Sequence, residues 1–184
     1  MRLIGAESIK MTSRTRDRNL GFTMVEAMIV VAIMGLLVAL AAPPLSDFLE
    51  NAQARQNTNE LLSSLLLARS EAVTRNMPVS LCTAGSSLTA CNAGMDWTDG
   101  WISFEDIDAD GVRDIGEELI EQHSELNSTT LIRAVNFSDF ITYLPSGGVS
   151  SMGSFNVCVG DASARLITIN VTGRPRLTDG SCGQ

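Results

Sequence analysis

The stretch GFTMVEAMIVVAIMGLLVALAAPP, residues 21–44, decides the fold of this chain. Its apolar part runs from Met24 to Ala42 and contains a single charged residue, Glu26. A helix of this length measures about 28 Å, close to the hydrocarbon thickness of a bilayer. The segment before it is basic, and basic residues ahead of an apolar helix favour a cytoplasmic location for that end. The sequence therefore predicts a transmembrane helix over 22–44, with the rest of the chain outside the cytoplasm.

Two ordinary interpretations of this segment compete. A secretory signal peptide would be cleaved after small residues, and Ala39-Leu40-Ala41 imitates such a site. The apolar run is longer than the roughly 7–15 residues usual in signal peptides, and an acid lies near its start. A plain single-span anchor leaves Glu26 unexplained, since a carboxylate in apolar surroundings costs about 2.5–3.5 kcal/mol on insertion scales.

The junction Gly21-Phe22-Thr23-Met24-Val25-Glu26, with its basic leader, resembles the class III signal of type IV pilins and pseudopilins. The resemblance implies that a prepilin peptidase removes residues 1–21 by cutting between Gly21 and Phe22, and that Phe22 is then N-methylated. It also implies that Glu26 is the assembly glutamate and that Pro43, followed by Pro44, kinks the helix. Met11 is an alternative start that would leave this junction unchanged.

Cleavage would free an ammonium group on Phe22 in an apolar layer. Glu26 of one subunit could neutralise that cation on a neighbouring pilin, which would offset the cost of desolvating both charges. Alternatively, Glu26 pairs with the amine of its own Phe22 or with the N-terminus of its own helix.

Beyond the prolines a helical period of apolar residues continues to Asn76 and Pro78, which predicts an amphipathic continuation over 45–76. Its apolar positions are Leu45, Phe48, Leu49, Ala52, Leu61, Leu62, Leu65, Leu66, Ala68, Ala72 and Val73. From residue 77 the pattern changes to short apolar runs separated by turn residues. These runs predict strands at Val79–Cys82, Trp101–Phe104, Leu119–Gln122, Leu131–Val135, Phe140–Leu144, Phe155–Val159 and Leu166–Val171. The expected fold is α+β: a long N-terminal helix, half transmembrane and half amphipathic, packed on a β-rich periplasmic head of antiparallel sheets, residues 77–184.

Composition restricts the function. The chain has 184 residues, 13 basic and 21 acidic, and a single histidine, His123. One histidine cannot build a multi-histidine metal site, and no motif groups it with a serine and an aspartate, so we expect neither an enzyme nor a cofactor. Removal of 1–21 takes away five basic and two acidic residues, which leaves 8 basic and 19 acidic groups and a formal charge of −11. Such a charge repels nucleic acid overall, so any DNA contact must be local.

Four cysteines in an oxidising compartment are expected to pair, and three connectivities are open. We prefer Cys82–Cys91 and Cys158–Cys182, since each closes a local loop worth roughly 3 kcal/mol in the chain-entropy model. A metal role is not expected, because no C-x-x-C spacing occurs.

The run Asp106-Ile-Asp108-Ala-Asp110-Gly111, followed by Glu117, matches the calcium-loop pattern of EF-hands. An EF-hand needs flanking helices, whereas the flanks here predict strands. We therefore favour a β-hairpin with an acidic tip and keep calcium as the alternative.

The head has a resemblance of its own, to the GspH/FimT group of minor pilins. It is carried by Asn59-Glu60-Leu61, Ala68-Arg69-Ser70-Glu71-Ala72, Val79-Ser80-Leu81-Cys82 and Trp97-Thr98-Asp99-Gly100-Trp101. The resemblance implies a structural subunit of the inner membrane, with its head in the periplasm. Such a subunit joins other pilins in an extracellular type IV pilus or, as a GspH-type pseudopilin, in the periplasmic filament of type II secretion.

The segment Gly173-Arg174-Pro175-Arg176 is similar to the G-R-x-R motif of FimT proteins that bind DNA in natural transformation. Two guanidinium groups two residues apart on an extended loop can face the same way and contact phosphates, and Arg165 could extend the patch. The alternative is a solvated Arg-Pro turn.

Overall fold

The computed structural model describes residues 22–137, 139–160 and 163–182, and no side chains at 40–44 or 163. The predicted leader 1–21, including Gly21, lies outside the described residues. The chain divides into two compact units, the first ending at Ala41 and the second beginning at Ala42.

A single helix, α1, spans Met24–Arg75 and covers both predicted helical segments. It begins after Thr23, whose Oγ1 accepts a hydrogen bond of 3.2 Å from the Glu26 backbone N–H. It ends before Asn76, which has a left-handed φ of 55°, and the Met77 N–H then donates to the Ala72 carbonyl at 3.2 Å. Both ends are therefore capped, and the C-terminal end lies where Asn76 and Pro78 predict it.

In the first unit, the helix presents apolar side chains on every side. Twelve large hydrophobic residues between Phe22 and Val38 are exposed. Within the described part of the chain, no helix has both the length and the apolar character needed to cross a membrane. The span predicted over 22–44 includes residues whose side chains are not described, and it stays a prediction. Pro43 and Pro44 lie inside α1, and the predicted kink also stays a prediction.

The second unit contains two four-stranded sheets and a short 3₁₀ helix at Trp97–Asp99. The strands are β1 (Val79–Thr83), β2 (Gly100–Glu105), β3 (Leu119–Ser124), β4 (Thr130–Val135), β5 (Phe140–Tyr143), β6 (Gly153–Val159), β7 (Ser163–Ile169) and β8 (Pro175–Asp179). The first sheet has the order β3-β2-β1-β5 and the second has the order β4-β6-β7-β8. All neighbouring strands are antiparallel, so the predicted α+β architecture is confirmed.

Strand β8 corrects the sequence prediction, which placed Gly173–Arg176 on an extended loop. Pro175 and Arg176 instead belong to β8, where Arg176 pairs with Thr168 of β7. Proline is tolerated here because it is the first residue of an edge strand and has no N–H to leave unpaired within the sheet.

The C-terminal half of α1 forms a common core with both sheets. Its buried residues Leu61, Leu65, Ala68 and Ala72 contact an apolar cluster drawn from both. From the sheets this cluster takes Val79, Leu81, Trp101, Ile132, Ile141, Tyr143, Phe155, Val157, Ile167 and Ile169. Only part of the predicted apolar stripe therefore lies in the core. Leu45, Phe48 and Leu49, at the start of the stripe, are exposed, and the first buried side chain described in α1 is that of Ala54.

Candidate functional site

The predicted processing and assembly residues lie at the start of α1. The Phe22 side chain is 77% exposed, and Glu26 is exposed in the first helical turn. A carboxylate in the first turn interacts favourably with the helix dipole. Thr23 and Glu26 also have the residue types and spacing of a capping box, and one of its two hydrogen bonds is present. Glu26 can therefore stabilise its own helix, and its exposed carboxylate is accessible to a second charge.

The cysteines form two disulfides, Cys82–Cys91 and Cys158–Cys182, which are the pairs preferred from the sequence. The first lies at the end of β1, where the buried Cys82 belongs to a second apolar cluster with Ala84, Ile102 and Phe104. The second ties the chain beyond β8 to β6. Both bridges hold loops to sheets, and neither leaves a free thiol.

The acidic loop joins β2 to β3, which pair as an antiparallel hairpin. The predicted hairpin is therefore confirmed, and the flanking helices of an EF-hand are not formed. Carboxylate oxygens of Asp106, Asp108 and Glu117 lie within 4.8 Å of one another, and Asp110 is not part of this group. These three residues are the ones that could contact a hard cation.

Backbone donors already occupy the two buried carboxylates of this group. Asp106 accepts from the Asp110 N–H at 3.1 Å, from the Gly111 N–H at 3.0 Å and from Ser80 Oγ at 2.5 Å. Glu117 accepts from the N–H groups of Ile107 and Asp114, both at 2.8 Å. Burial raises the pKa of Asp106 and the Glu117 charge adds to the rise, whereas the hydrogen bonds from Ser80, Gly111 and Asp110 oppose it. These hydrogen bonds hold the backbone of the loop around the two carboxylates.

Gly173, in the predicted DNA-binding motif, allows two loops to approach each other closely. It has a φ of +68°, and a Cβ there would collide with the carbonyl oxygen of Gly147. Its N–H donates to the Asn170 carbonyl at 2.8 Å. Only glycine allows the turn after β7 to approach the loop after β5 so closely.

Next to this contact, Arg174 lines a cavity of about 420 Å³. The other lining residues are Arg69, Ser146, Gly148, Val171 and Thr172. Arg69 belongs to α1, and its Nε donates to the Gly147 carbonyl at 2.8 Å. The sequence did not single out Arg69 as a binding residue, because the contact depends on how the loops fold back onto α1.

Arg165 lies elsewhere. It forms an ion pair with the exposed Asp179 at 2.9 Å and lines a second cavity, of about 300 Å³, with Arg55, Thr58, Asn59 and Leu177. Leu177 pairs with the buried Ile167 of β7, and because side chains alternate along a strand, Arg176 lies on the opposite face of β8. Arg176 therefore lies on the opposite face of the sheet from Arg165. Arg165 and Arg174 each line a cavity together with an arginine of α1.

The single histidine has a packing role. The His123 ring stacks on Trp101 with centroids 4.0 Å apart and planes at 7°. Its Nε2 lies 3.2 Å from Glu60 Oε2 on α1, and its Nδ1 lies 2.9 Å from the Ser124 carbonyl oxygen. These contacts attach β3 to α1.

Comparison with known proteins identifies the families that the head and the N-terminal segment match. Residues 57–173 match the family described as type II transport protein GspH, and residues 16–42 match the prokaryotic N-terminal methylation motif. The chain belongs to the GspH family. It is a pilin or pseudopilin of the kind found in type IV pili and type II secretion systems, as its N-terminal resemblance implies.

Two curated relatives match shorter parts of this chain. The type IV major pilin protein PilA of Myxococcus xanthus is 47% identical over 53 residues, 29% of this chain and 22% of that protein. The type IV major alpha-pilin of Moraxella bovis is 44% identical over 41 residues, 22% of this chain and 26% of that protein. The match thus spans about a quarter of the length of these relatives.

Solved structures show the same fold. The type IV minor pilin FimU of Pseudomonas aeruginosa superimposes with a TM-score of 0.56 at 21% identity, over 71% of this chain and 92% of FimU. The minor pseudopilin EpsH from the type 2 secretion system of Vibrio cholerae superimposes with a TM-score of 0.51 at 13% identity, over 69% of this chain and 97% of EpsH.

Proposed function

We propose that this chain is a minor type IV pilin of the FimT/FimU kind, a structural, non-enzymatic subunit that helps to initiate the pilus. The observation that carries the proposal is the N-terminal methylation motif at residues 16–42 joined to a GspH-type head at 57–173. Both curated relatives that match the chain are type IV pilins. This supports the type IV pilus over type II secretion.

Processing and assembly follow from the N-terminal segment. A prepilin peptidase cuts between Gly21 and Phe22, Phe22 is methylated, and the helix anchors the subunit in the inner membrane with its head in the periplasm. Twelve exposed apolar side chains between Phe22 and Val38 need lipid or other helices to cover them. In the filament, Glu26 of one subunit meets the amino group of Phe22 on the next.

Complementation of a host deletion strain tests this role. We expect the wild-type chain to restore surface pili and Glu26→Ala to fail, while the subunit from either strain has a methylated Phe22 by mass spectrometry. Asp47→Ala is the matched control, since Asp47 is another exposed acid of α1. Restoration of pili by Glu26→Ala would contradict the assembly role.

A second candidate is a GspH-type pseudopilin of type II secretion, favoured by the description of the matched family. The same deletion strain separates the two. Loss of pili with unchanged secretion of exoproteins supports the type IV role, and the reverse supports the pseudopilin.

We further propose that the head captures DNA weakly during natural transformation, through the exposed Arg174 and Arg176. Two or three phosphate contacts predict a salt slope of only about −2 to −3, so binding should disappear as salt rises. Gel shifts at low salt should retard DNA with the wild-type chain and fail with the Arg174→Ala, Arg176→Ala double variant. Equal retardation by both proteins would contradict DNA capture and leave the pilin role standing.

A further inference from the structure

We infer that two arginine pairs along one side of α1 form a docking surface for the phosphodiester backbone of DNA, an inference that rests on the proposed DNA capture. The surface, here called the arginine seam, consists of Arg55 and Arg69 on α1 and Arg165 and Arg174 from the β7–β8 region. Each pair lines one of the two cavities between α1 and residues 163–179.

The first pair, Arg69 and Arg174, is suited to a phosphate. The Arg69 Nε bond to Gly147 fixes the guanidinium at 2.8 Å, and its two terminal nitrogens carry four further N–H donors. Arg174 is exposed and lines the same cavity. Guanidinium groups bind phosphate through two parallel hydrogen bonds, so this cavity offers two groups suited to a phosphate.

The described residues that line this cavity are mostly polar. Its walls include the hydroxyl residues Ser146 and Thr172, and none of its described lining residues is a carboxylate. Tyr143, close enough to Arg69 to feel its charge, is fully buried, and its hydroxyl has no hydrogen-bond partner among the described residues. Burial raises the pKa of Tyr143, and the nearby Arg69 charge partly opposes that rise.

The second pair, Arg55 and Arg165, faces a cavity with Thr58, Asn59 and Leu177. Arg55 is exposed. Arg165 forms an ion pair with Asp179. Because the Asp179 side chain is 90% exposed, this ion pair is weak. A phosphate can compete for Arg165, although Asp179 reduces the attraction at this end.

The spacing of the pairs fits a polymer of phosphates. Arg55 and Arg69 are fourteen residues apart, close to four helical turns, so both lie on the same side of α1 about 21 Å apart. Successive phosphates of one DNA strand are about 3.4 Å apart along the duplex axis. A span of about 21 Å corresponds to about six base-pair steps along the duplex axis, so the seam is long enough for both arginine pairs to face the same duplex.

The distribution of charged residues also favours DNA as the ligand of the arginine seam. The mature chain carries 8 basic against 19 acidic groups, yet the described residues that line the two cavities include four arginines and no carboxylate, and only Arg165 of the four has an ion pair with an acid among the described residues, Asp179. A local positive region on an acidic protein orients a polyanion towards itself and repels it elsewhere.

Fluorescence anisotropy of a labelled DNA duplex with the full chain in detergent tests the seam. We expect Arg55→Gln and Arg69→Gln each to weaken binding by about tenfold at about 50 mM salt, and to make the salt slope shallower by about 0.9. Arg69→Lys should recover only part of the lost affinity, because an ammonium group keeps the charge but cannot make two parallel hydrogen bonds to a phosphate. Asp179→Asn should strengthen binding, because it releases Arg165.

Arg133→Gln is the matched control, since Arg133 is exposed on β4 outside the seam. If Arg55→Gln and Arg69→Gln bind like Arg133→Gln while Arg174→Ala, Arg176→Ala fails, the seam is overturned and DNA capture stands. If the wild-type chain does not bind the duplex, both are overturned and the piliation test still decides the pilin role. Binding of polyglutamate without binding of the duplex would overturn the seam in favour of an acidic protein partner.

Discussion

Trp101 Nε1 donates a hydrogen bond of 2.9 Å to Ser64 Oγ, and both side chains are fully buried. The bond joins β2 to α1 inside the common core. Ser64→Ala leaves the indole N–H without this partner in an apolar environment, so we expect a loss of about 1–3 kcal/mol in the free energy of unfolding. Urea denaturation followed by tryptophan fluorescence measures it.

Ser63→Ala is the control for this prediction. Ser63 is the exposed neighbour on the same helix, and its hydroxyl donates only to the Glu60 carbonyl of its own helix. Its substitution should change stability by less than about 0.5 kcal/mol. Equal losses for the two variants would show that the contact with Trp101 contributes nothing.

Gly173→Ala is predicted to push apart the turn after β7 and the loop after β5. Its Cβ would meet the Gly147 carbonyl oxygen, and the φ of +68° strains any other residue. We expect a loss of about 1–3 kcal/mol in stability and weaker DNA binding, because Arg174 moves with the loop. Thermal denaturation and anisotropy measure the two effects.

Gly116→Ala is the control that separates backbone strain from a steric collision of the new Cβ. Gly116 also has a positive φ, of +105°, but a Cβ there has no atom within 4 Å. It should therefore cost less stability than Gly173→Ala and leave DNA binding unchanged. A loss of DNA affinity equal to that of Gly173→Ala would argue against the positional role.

Local signals in the sequence were sufficient for most of the fold. The apolar period predicts α1, Asn76 and Pro78 predict its end, and alternating apolar runs predict seven of the eight strands. Strand β8 was missed because four of its five residues are exposed and the other is only half-buried. An edge strand of this kind has neither alternation nor a continuous apolar run.

The candidate site was less predictable, because it depends on the order of strands. The Gly-Arg-Pro-Arg segment and Arg165 can be recognised in the sequence, but Arg55 and Arg69 cannot be paired with them there. The pairing requires the sheet order β4-β6-β7-β8, which places β7 and β8 beside α1. Likewise, the sequence alone cannot show that β8 turns Arg176 away from Leu177.

The two disulfides are predicted to differ in their contribution to stability. Their sequence separations of 9 and 24 residues give roughly 3 kcal/mol each in the chain-entropy model, slightly more for the longer loop. Cys82, however, is 1% exposed and lies in the second apolar cluster with Ile102 and Phe104, whereas Cys158, at 8%, is buried but belongs to neither apolar cluster. Cys82→Ala, Cys91→Ala should therefore cost more in urea denaturation than Cys158→Ala, Cys182→Ala, and the opposite order would contradict the packing argument.

Calcium is predicted not to bind the acidic hairpin. Both oxygens of Asp106 and both oxygens of Glu117 accept hydrogen bonds from the chain, so a cation would have to displace these donors. We expect no heat when calcium is added to about millimolar concentration, a range in which weak extracellular sites bind. Saturable heat that disappears in Glu117→Gln would restore the calcium alternative.

Asp106 makes the stability of the head depend on pH. Burial raises its pKa above the usual value of 3.8 in the folded chain, so the folded state binds this proton more tightly than the unfolded state. The contribution to stability is then fully present below the usual pKa and is lost as pH rises through the folded pKa. Asp106→Asn cannot titrate and also cannot accept from both the Asp110 and Gly111 N–H groups. It should be less stable than the wild type throughout.

The difference in melting temperature between wild type and Asp106→Asn should therefore be larger near about pH 4 than near about pH 7, since only the wild type gains from protonation. Asp108→Asn is the control, because Asp108 is exposed in the same loop and its removal should shift the melting temperature little at either pH. A difference that grows as pH rises would mean that the hydrogen bonds from Ser80 and the backbone outweigh burial, and that Asp106 is held as a carboxylate in the folded head.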